Sequence, residues 1–228
     1  MGGPLPKPLV PLAGKPLINH LLDTLHQSHL NKIALVIGHQ ADRIKAYLGD
    51  SFEYVMQPEP LGTAHAVMCA AALIKRYEKV LILMGDNPLL LPETLKNLLK
   101  IQSETASPAA ILTGRFETHF PYARVVRDEQ NHLVKCVEER DATENELKIR
   151  EYMTSQFLFE SSLLLQMLPQ LQPYPVTSEI YLTDLVNLCL QRGVSVETLA
   201  VAEFQQLVGL NTPDDIRWAE IWLNDRLV

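Results

Sequence analysis

Residues 79–90 read KVLILMGDNPLL, and this stretch carries the strongest indication of the fold. Lys79 is followed by five apolar residues, a composition typical of a strand that is buried on both faces of a parallel sheet. The run ends in Gly85-Asp86, after which Pro88 turns the chain away. Ligands of open α/β sheets bind at the carboxyl ends of the strands. The stretch therefore predicts a buried strand that carries an acid at the ligand-binding edge.

Segments of helical and of strand-like pattern alternate on both sides of this strand. In chain order they are a helical stripe at 16–29, a β-branched run at 32–37, a helix at 41–49, a strand at 52–56, a helix at 63–77 and, after the strand, a helix at 91–102. This alternation predicts an α/β fold with a Rossmann-like, doubly wound, mostly parallel sheet. The run at 32–37 is also predicted to be buried on both faces.

The pattern changes near residue 108. Strand-like pieces separated by turn residues stand at 109–116, 123–128, 133–139 and 154–159, and helical patterns return at 161–171, 181–193 and 212–227. We therefore predict a single domain over 1–228 with three parts. They are an α/β part over about 1–107, a smaller mixed β part over about 108–212, and a C-terminal helix at 213–227.

Composition excludes several classes of partner. The formal charge of −7 argues against a nucleic-acid surface, which needs a basic face. No apolar run approaches the ~20 residues that cross a membrane, and the N-terminus has no secretory signal. The three cysteines, Cys69, Cys136 and Cys189, form no C-x-x-C pair. They are predicted to be reduced and mostly buried thiols of a cytoplasmic protein.

Two residues are candidate Mg²⁺ ligands. Asp86 could hold the ion through one carboxylate oxygen, or it could cap the following helix, although Pro88 and two leucines separate it from that helix. Asn211 precedes the terminal helix, where Thr212 and Pro213 make a good helix start. Asn211 is then available to offer a neutral amide oxygen as the second ligand.

Two loops admit both a structural and a functional interpretation. In QPEPLGTAHA (57–66), Gln57 and Gly62 could present donors and acceptors to a base, or the loop could be a proline-stiffened turn with Thr63 as a helix cap. In SEIYLTDL (178–185), Thr183 is predicted to cap a helix, with Asp184 favoured by the helix dipole.

Seven landmarks in order resemble the nucleoside-triphosphate:sugar-1-phosphate nucleotidyltransferases. The resemblance is greatest to the uridylyltransferase, or pyrophosphorylase, domains of the bacterial bifunctional enzymes that make UDP-N-acetylglucosamine. The landmarks are LPKPLVPLAGKPL, QPEPLGTAHA, MGDNPLL, YARVVRD, CVEERDA, EIYLTDL and VGLN. The resemblance implies Mg²⁺-dependent uridylyl transfer from UTP to a hexose 1-phosphate, foremost N-acetylglucosamine 1-phosphate, with release of pyrophosphate.

The resemblance also implies a role for each matching residue. Lys7 would face the α-phosphate, and Asp86 and Asn211 would hold Mg²⁺ beside the nucleotide. The uracil would contact Gln57, Gly62 and Thr63. The sugar would be lined by Tyr122, Ala123, Glu138, Thr154 and Tyr181. The parts before and after about residue 107 would then bind the nucleotide and the sugar, respectively.

The chain departs from the family pattern at the sugar and base positions. Ala123 stands where the family has glycine, Met153 where it has asparagine, and Pro60 where it often has glutamine. These departures leave the identity of the sugar open.

The N-terminus differs as well. The family begins with a strand and a glycine-rich loop, whereas Met1 aligns with the end of that loop. A chain without this strand is expected to expose a sheet edge, which favours association between chains, and to turn over weakly or not at all. The alternatives to the enzyme are a non-catalytic paralogue that binds nucleotide sugars, an inactive truncated form, and an α/β fold whose loops merely cap helices.

Overall fold

The structure, a computed structural model, describes residues 5–226. Its eight α-helices in this range are α1 (Leu17–Gln27), α2 (Ala41–Leu48), α3 (Thr63–Cys69), α4 (Ala71–Ile74), α5 (Pro92–Thr105), α6 (Ser161–Met167), α7 (Thr183–Gln191) and α8 (Pro213–Asp225). Its strands are β1 (Pro11–Leu12), β2 (Lys15–Pro16), β3 (Ala34–Ile37), β4 (Glu53–Met56), β5 (Lys79–Ile82), β6 (Ala109–Arg115), β7 (Ala123–Arg127), β8 (Leu133–Val137), β9 (Glu151–Glu160) and β10 (Glu197–Val201). The prediction that Met1 aligns with the end of the family's glycine-rich loop lies outside the described residues.

The largest sheet has the strand order β10-β6-β9-β7-β8, with β5 paired to β9 as well. β9 is central: one side lies along β6, and the other side pairs with β7 near its start and with β5 near its end. The predicted α/β class is confirmed, but this sheet is not mostly parallel as predicted: of its five described strand pairs, only β10–β6 is parallel. The reason is that β9 enters antiparallel between β5 and β6, so these two strands of equal direction do not pair with each other.

A second sheet consists of β3 and β4, which run parallel. Within residues 5–226, β3 pairs with β4 alone and β5 with β9 alone, so each has an edge without a strand partner. The prediction that 32–37 is buried on both faces is wrong: Val36 is 37% exposed, and Ile37 alone in β3 is buried. Ile37 packs on Ala41 and Ile44 of α2, whereas Ala34 and Val36 on the other face of β3 are exposed. Association of chains at these edges stays a prediction.

Two apolar clusters pack on the two faces of the large sheet, and β9 contributes to both. Tyr152 and Leu158 belong to the cluster that also contains residues of α1 and α5. Phe157 and Phe159 belong to the cluster that contains residues of α3, α6 and α7. This alternation follows from the two-residue period of a strand, and it makes β9 the centre of a three-layer α/β arrangement.

Most predicted elements occur, with differences at the helix ends. The helix predicted at 63–77 is divided at Ala70 into α3 and α4. β10 and the short hairpin of β1 and β2 were not predicted. The predicted cap of the terminal helix is confirmed, because the Thr212 hydroxyl accepts from the backbone N–H of Asp215 in a capping box. No helix between Leu5 and Arg226 has the length and apolarity that a bilayer crossing requires.

The three cysteines are expected to differ in reactivity. All are free thiols; Cys136 and Cys189 are buried, whereas Cys69 is partly exposed. Burial raises the pKa of Cys136 to about 12 and that of Cys189 to about 11, so neither forms appreciable thiolate at pH 8. Iodoacetamide should therefore label Cys69 alone in the folded protein and all three in denaturant, as read by peptide mass spectrometry. Rapid native labelling of Cys136 would contradict this packing.

Candidate active site

Three predicted residues from distant parts of the chain meet at one point. The Lys7 ammonium donates to a carboxylate oxygen of Asp86 at 2.5 Å and to the amide oxygen of Asn211 at 2.6 Å. Lys7 begins a single 3₁₀ turn after Pro6, Asp86 follows β5, and Asn211 precedes α8. The structure thus brings the predicted phosphate and metal residues together at the carboxyl end of β5.

Hydrogen bonds to the backbone hold the Asp86 carboxylate and the Asn211 amide oxygen in place. The Asp86 carbonyl accepts from the N–H of Leu210 at 2.9 Å, which joins the segment after β5 to the segment before α8. Asn211 donates through Nδ2 to the Gly209 carbonyl at 3.0 Å, and this contact leaves its Oδ1 facing Lys7. A Cβ at position 209 would lie 3.3–3.4 Å from the Asp86 carboxylate group. Gly209 therefore permits a close approach that no local pattern in the sequence had indicated.

Tyr122 lies with this group, although it was predicted to line the sugar. Its hydroxyl accepts from the backbone N–H of Gly209 at 3.0 Å, and its ring stacks on Phe120. Burial raises the pKa of Tyr122, and the nearby Asp86 carboxylate adds to the increase. The hydroxyl therefore stays protonated at neutral pH and braces the segment that carries Asn211.

The predicted base-binding loop is fastened to the segment before α7. Gln57 donates to the Gly62 carbonyl at 3.1 Å and lies 3.2 Å from Nδ1 of His65. Gly62 adopts φ +99°, and a Cβ there would lie 2.4 Å from the Ile180 carbonyl oxygen. Ile180 in turn accepts from the N–H of Ala64 and donates to the Leu61 carbonyl. Two backbone hydrogen bonds thus fix the loop at a distance that only glycine tolerates.

The threonines considered as helix caps make other contacts. The Thr63 hydroxyl accepts from the N–H of Leu182 at 3.0 Å, so it joins the two loops and does not cap α3. The prediction that Thr183 caps α7 is wrong: the N-cap residue is Leu182, and the Thr183 hydroxyl donates to Glu138 at 2.7 Å. Burial raises the pKa of Asp184, and the nearby Glu138 carboxylate adds to it.

The other predicted sugar residues lie around β7 and β9. Ala123 faces Met153 across the β7–β9 pair, and both side chains are buried. Thr154 donates to the amide oxygen of Gln156 at 2.6 Å, next to Ser155, whose φ of +69° marks a bulge. The two residues that depart from the family pattern at the predicted sugar positions, Ala123 and Met153, are thus direct neighbours.

Tyr181 takes part in an arrangement that the sequence analysis missed. Its hydroxyl donates to Glu179 at 2.5 Å and accepts from Arg140 at 2.9 Å. The Arg140 guanidinium packs against two rings, 3.7 Å from the centre of Tyr174 and 4.2 Å from that of Tyr181. The CVEERDA motif pointed to Glu138, but no spacing in the sequence links Arg140 to tyrosines more than thirty residues away.

A second arginine was also missed. Arg124 is fully buried, donates to Glu139 and to the Tyr122 carbonyl, and lies over the ring of Tyr152. Because Arg124 directly follows Ala123, its bond to Glu139 connects the predicted sugar residues of β7 to the CVEERDA segment.

The donor set fits Mg²⁺. A carboxylate and an amide oxygen are hard ligands of the kind this ion prefers, and Mg²⁺ commonly takes one or two protein ligands and keeps water and phosphate at its other positions. In this structure both oxygens already converge on a cation, the Lys7 ammonium. From Leu5 to Arg226 no cluster of three or more His, Cys, Asp or Glu residues could hold a metal. Asp86 and Asn211 stay the predicted ligands of the ion.

Comparison with known families decides the class of the protein. The profile of the MobA-like NTP transferase domain matches residues 1–156. The chain belongs to this family. It carries an NTP transferase domain, and the resemblance to sugar-1-phosphate nucleotidyltransferases is confirmed.

Relatives of this NTP transferase domain include two bifunctional GlmU proteins. The one from Enterococcus faecalis is 36% identical over 212 residues, which cover 92% of this chain and 46% of the relative. The one from Bacillus cereus strain G9842 is 35% identical over 228 residues, which cover 100% of this chain and 50% of the relative. The chain spans about half the length of the curated relatives it matches.

Solved structures share the fold of this NTP transferase domain. A protein from Bacillus anthracis assigned as a glucose-1-phosphate thymidylyltransferase, solved with sucrose, has a TM-score of 0.76 at 18% identity. The match covers 96% of this chain and 87% of the Bacillus anthracis chain. An apo UDP-glucose pyrophosphorylase has a TM-score of 0.77 at 16% identity, over 98% of this chain and 92% of its own.

Proposed function

We propose that this protein catalyses Mg²⁺-dependent transfer of a uridylyl group from UTP to a hexose 1-phosphate in the cytoplasm. The products are a UDP-sugar and pyrophosphate, and N-acetylglucosamine 1-phosphate is the foremost acceptor, in keeping with the GlmU relatives. The observation that carries the proposal is the meeting of Lys7, Asp86 and Asn211, which come from three separate segments.

The chemistry requires no protein nucleophile. An oxygen of the sugar phosphate attacks the α-phosphorus of UTP, the bond to the bridging oxygen breaks, and pyrophosphate leaves with that oxygen. Lys7 would donate to the α-phosphate and offset the negative charge that develops there. Mg²⁺, when held by Asp86 and Asn211, supplies charge neutralisation of the phosphates. The side chains otherwise contribute by positioning the two substrates in line.

Recognition of the base rests on the loop at 57–66. Gln57 is held by Gly62, and this loop is fastened through Ile180 and Leu182 to the segment that carries Tyr181. The base and the sugar would therefore be bound by two loops that cannot move independently. This coupling supports a single site that orients both halves of a UDP-sugar.

The experiment is a pyrophosphate-release assay with a panel of sugar 1-phosphates and the four nucleoside triphosphates, with and without Mg²⁺. The proposal expects release with UTP and a hexose 1-phosphate that depends on Mg²⁺, at a low rate in keeping with the expectation of weak turnover drawn from the N-terminus. Because Ala123 and Met153 depart from the family pattern and face each other across β7 and β9, the panel includes glucose, galactose and N-acetylglucosamine 1-phosphates. Mg²⁺-independent binding of a UDP-sugar without any release would instead support a non-catalytic binding protein.

A further inference from the structure

We infer that in the free protein the Lys7 ammonium keeps the divalent-cation position closed, so that metal and nucleotide bind as a coupled pair. The inference rests on the proposed function, because it concerns the same three residues. Its physical content is a competition between two cations, one built into the chain and one taken from solution, for the same pair of oxygens.

The competition follows from the distances. Nζ of Lys7 lies 2.5 Å from the Asp86 carboxylate and 2.6 Å from the Asn211 amide oxygen. A Mg²⁺ ion bound by the same two oxygens would lie about 2.0–2.1 Å from each. The ion and the ammonium would then share the same two oxygens at close range, where their like charges repel each other. Only one of them can occupy this place at a time.

The lysine is able to leave while its backbone stays in place. Hydrogen bonds from Leu9 to the Pro6 carbonyl and from Val10 to the Lys7 carbonyl fix the 3₁₀ turn, and Pro6 and Pro8 stiffen it further. The Lys7 side chain, by contrast, is 32% exposed, so packing does not lock it. Its flexible stem lets the ammonium swing to another partner without any change of the main chain.

A nucleoside triphosphate supplies that partner. Its phosphate oxygens carry more negative charge than the Asp86 carboxylate and attract the ammonium toward them. Once Lys7 has moved, the metal can take the place of the ammonium beside the Asp86 and Asn211 oxygens. Because binding linkage is reciprocal, the nucleotide raises the affinity for the metal and the metal raises the affinity for the nucleotide.

The test is the affinity of the nucleotide-free protein for Mn²⁺, measured from the electron paramagnetic resonance of the free ion. Lys7→Met should bind Mn²⁺ at least about tenfold more tightly than the wild type, since a hydrogen bond to a charged group corresponds to such a factor or more. The double variant Lys7→Met/Asp86→Asn should lose this gain. Lys7→Gln serves as a second variant if Lys7→Met does not fold by circular dichroism.

Lys15→Met is the matched control. Lys15 lies in the same N-terminal region and pairs with Asp23, so its removal changes the net charge equally without touching the site. Equal Mn²⁺ affinities of Lys7→Met and Lys15→Met would overturn the inference. Uridylyl transfer by the wild type is assayed separately. Transfer without the Mn²⁺ difference overturns the inference alone, and the Mn²⁺ difference without transfer overturns the proposed function alone.

Discussion

Asp86→Asn is expected to abolish most Mg²⁺-dependent uridylyl transfer and to leave the fold intact. The substitution keeps the shape of the side chain but removes the one negative charge among the three residues that meet at the site. Loss of an outer-shell partner of a metal ligand typically costs ~10–100-fold, so loss of a ligand itself should cost about 100-fold or more. Pyrophosphate release measures the transfer, and calorimetry measures the Mg²⁺-dependent part of UTP binding.

The fold should tolerate this change because the Asp86 carboxylate is 29% exposed and the described contacts that anchor the segment use its backbone. Ion pairs of this exposure contribute at most about 1 kcal/mol. Asp214→Asn is the control: this carboxylate pairs with Arg217 on the exposed surface of α8. Retention of Mg²⁺-dependent transfer in Asp86→Asn, or an equal loss in Asp214→Asn, would remove Asp86 from the metal site.

Gly62→Ala is expected to be the most destabilising single-methyl change near the base loop. Gly62 has φ +99° and ψ 177°, a region that is almost confined to glycine and costs other residues about 1–3 kcal/mol. The added Cβ would also lie 2.4 Å from the Ile180 carbonyl oxygen and 2.7 Å from its nitrogen. These are backbone atoms, so relief requires the two loops to separate. A loss of about 3 kcal/mol corresponds to a Tm about 6–12 °C lower.

Gly193→Ala is the matched control for this substitution. Gly193 also has a positive φ, +72°, but a Cβ there would meet nothing within 4 Å. It therefore carries the backbone strain without the collision, which should cost about 1–2 kcal/mol. Thermal unfolding compares the two variants, and UTP titration shows whether Gly62→Ala also loosens nucleotide binding. Equal shifts of Tm would mean that the contact with Ile180 is not a rigid one.

The local pattern of the sequence predicted most of the helices and strands but not how the strands are arranged. The alternation of helical and strand-like hydrophobic periods located β3 to β9. This works because the spacing of apolar residues in a helix or strand shows which face is buried. The antiparallel entry of β9 between β5 and β6 was not predicted. A strand carries no local mark of its neighbour, and β9 pairs with residues that precede it by dozens of positions.

The candidate site shows the same division. The chemistry of Asp86 and Asn211 was readable because each stands where an element ends, whereas Gly209, Arg124 and Arg140 were missed because their partners are distant in sequence. Tyr122 was assigned to the sugar by its motif, yet its hydroxyl is bound by Gly209, beside Asp86. Motif order conveys which residues belong to a site but not which of them touch.

The sequence by itself determined the α/β alternation and predicted which residues could hold a metal. The tertiary structure alone decided that Lys7 lies between Asp86 and Asn211, across separations of 79 and 204 residues. The physical reason is that burial periodicity is a property of a few adjacent residues. The position of a cation depends instead on several oxygen atoms at once. Only the folded chain brings these oxygens, which come from distant segments, close together.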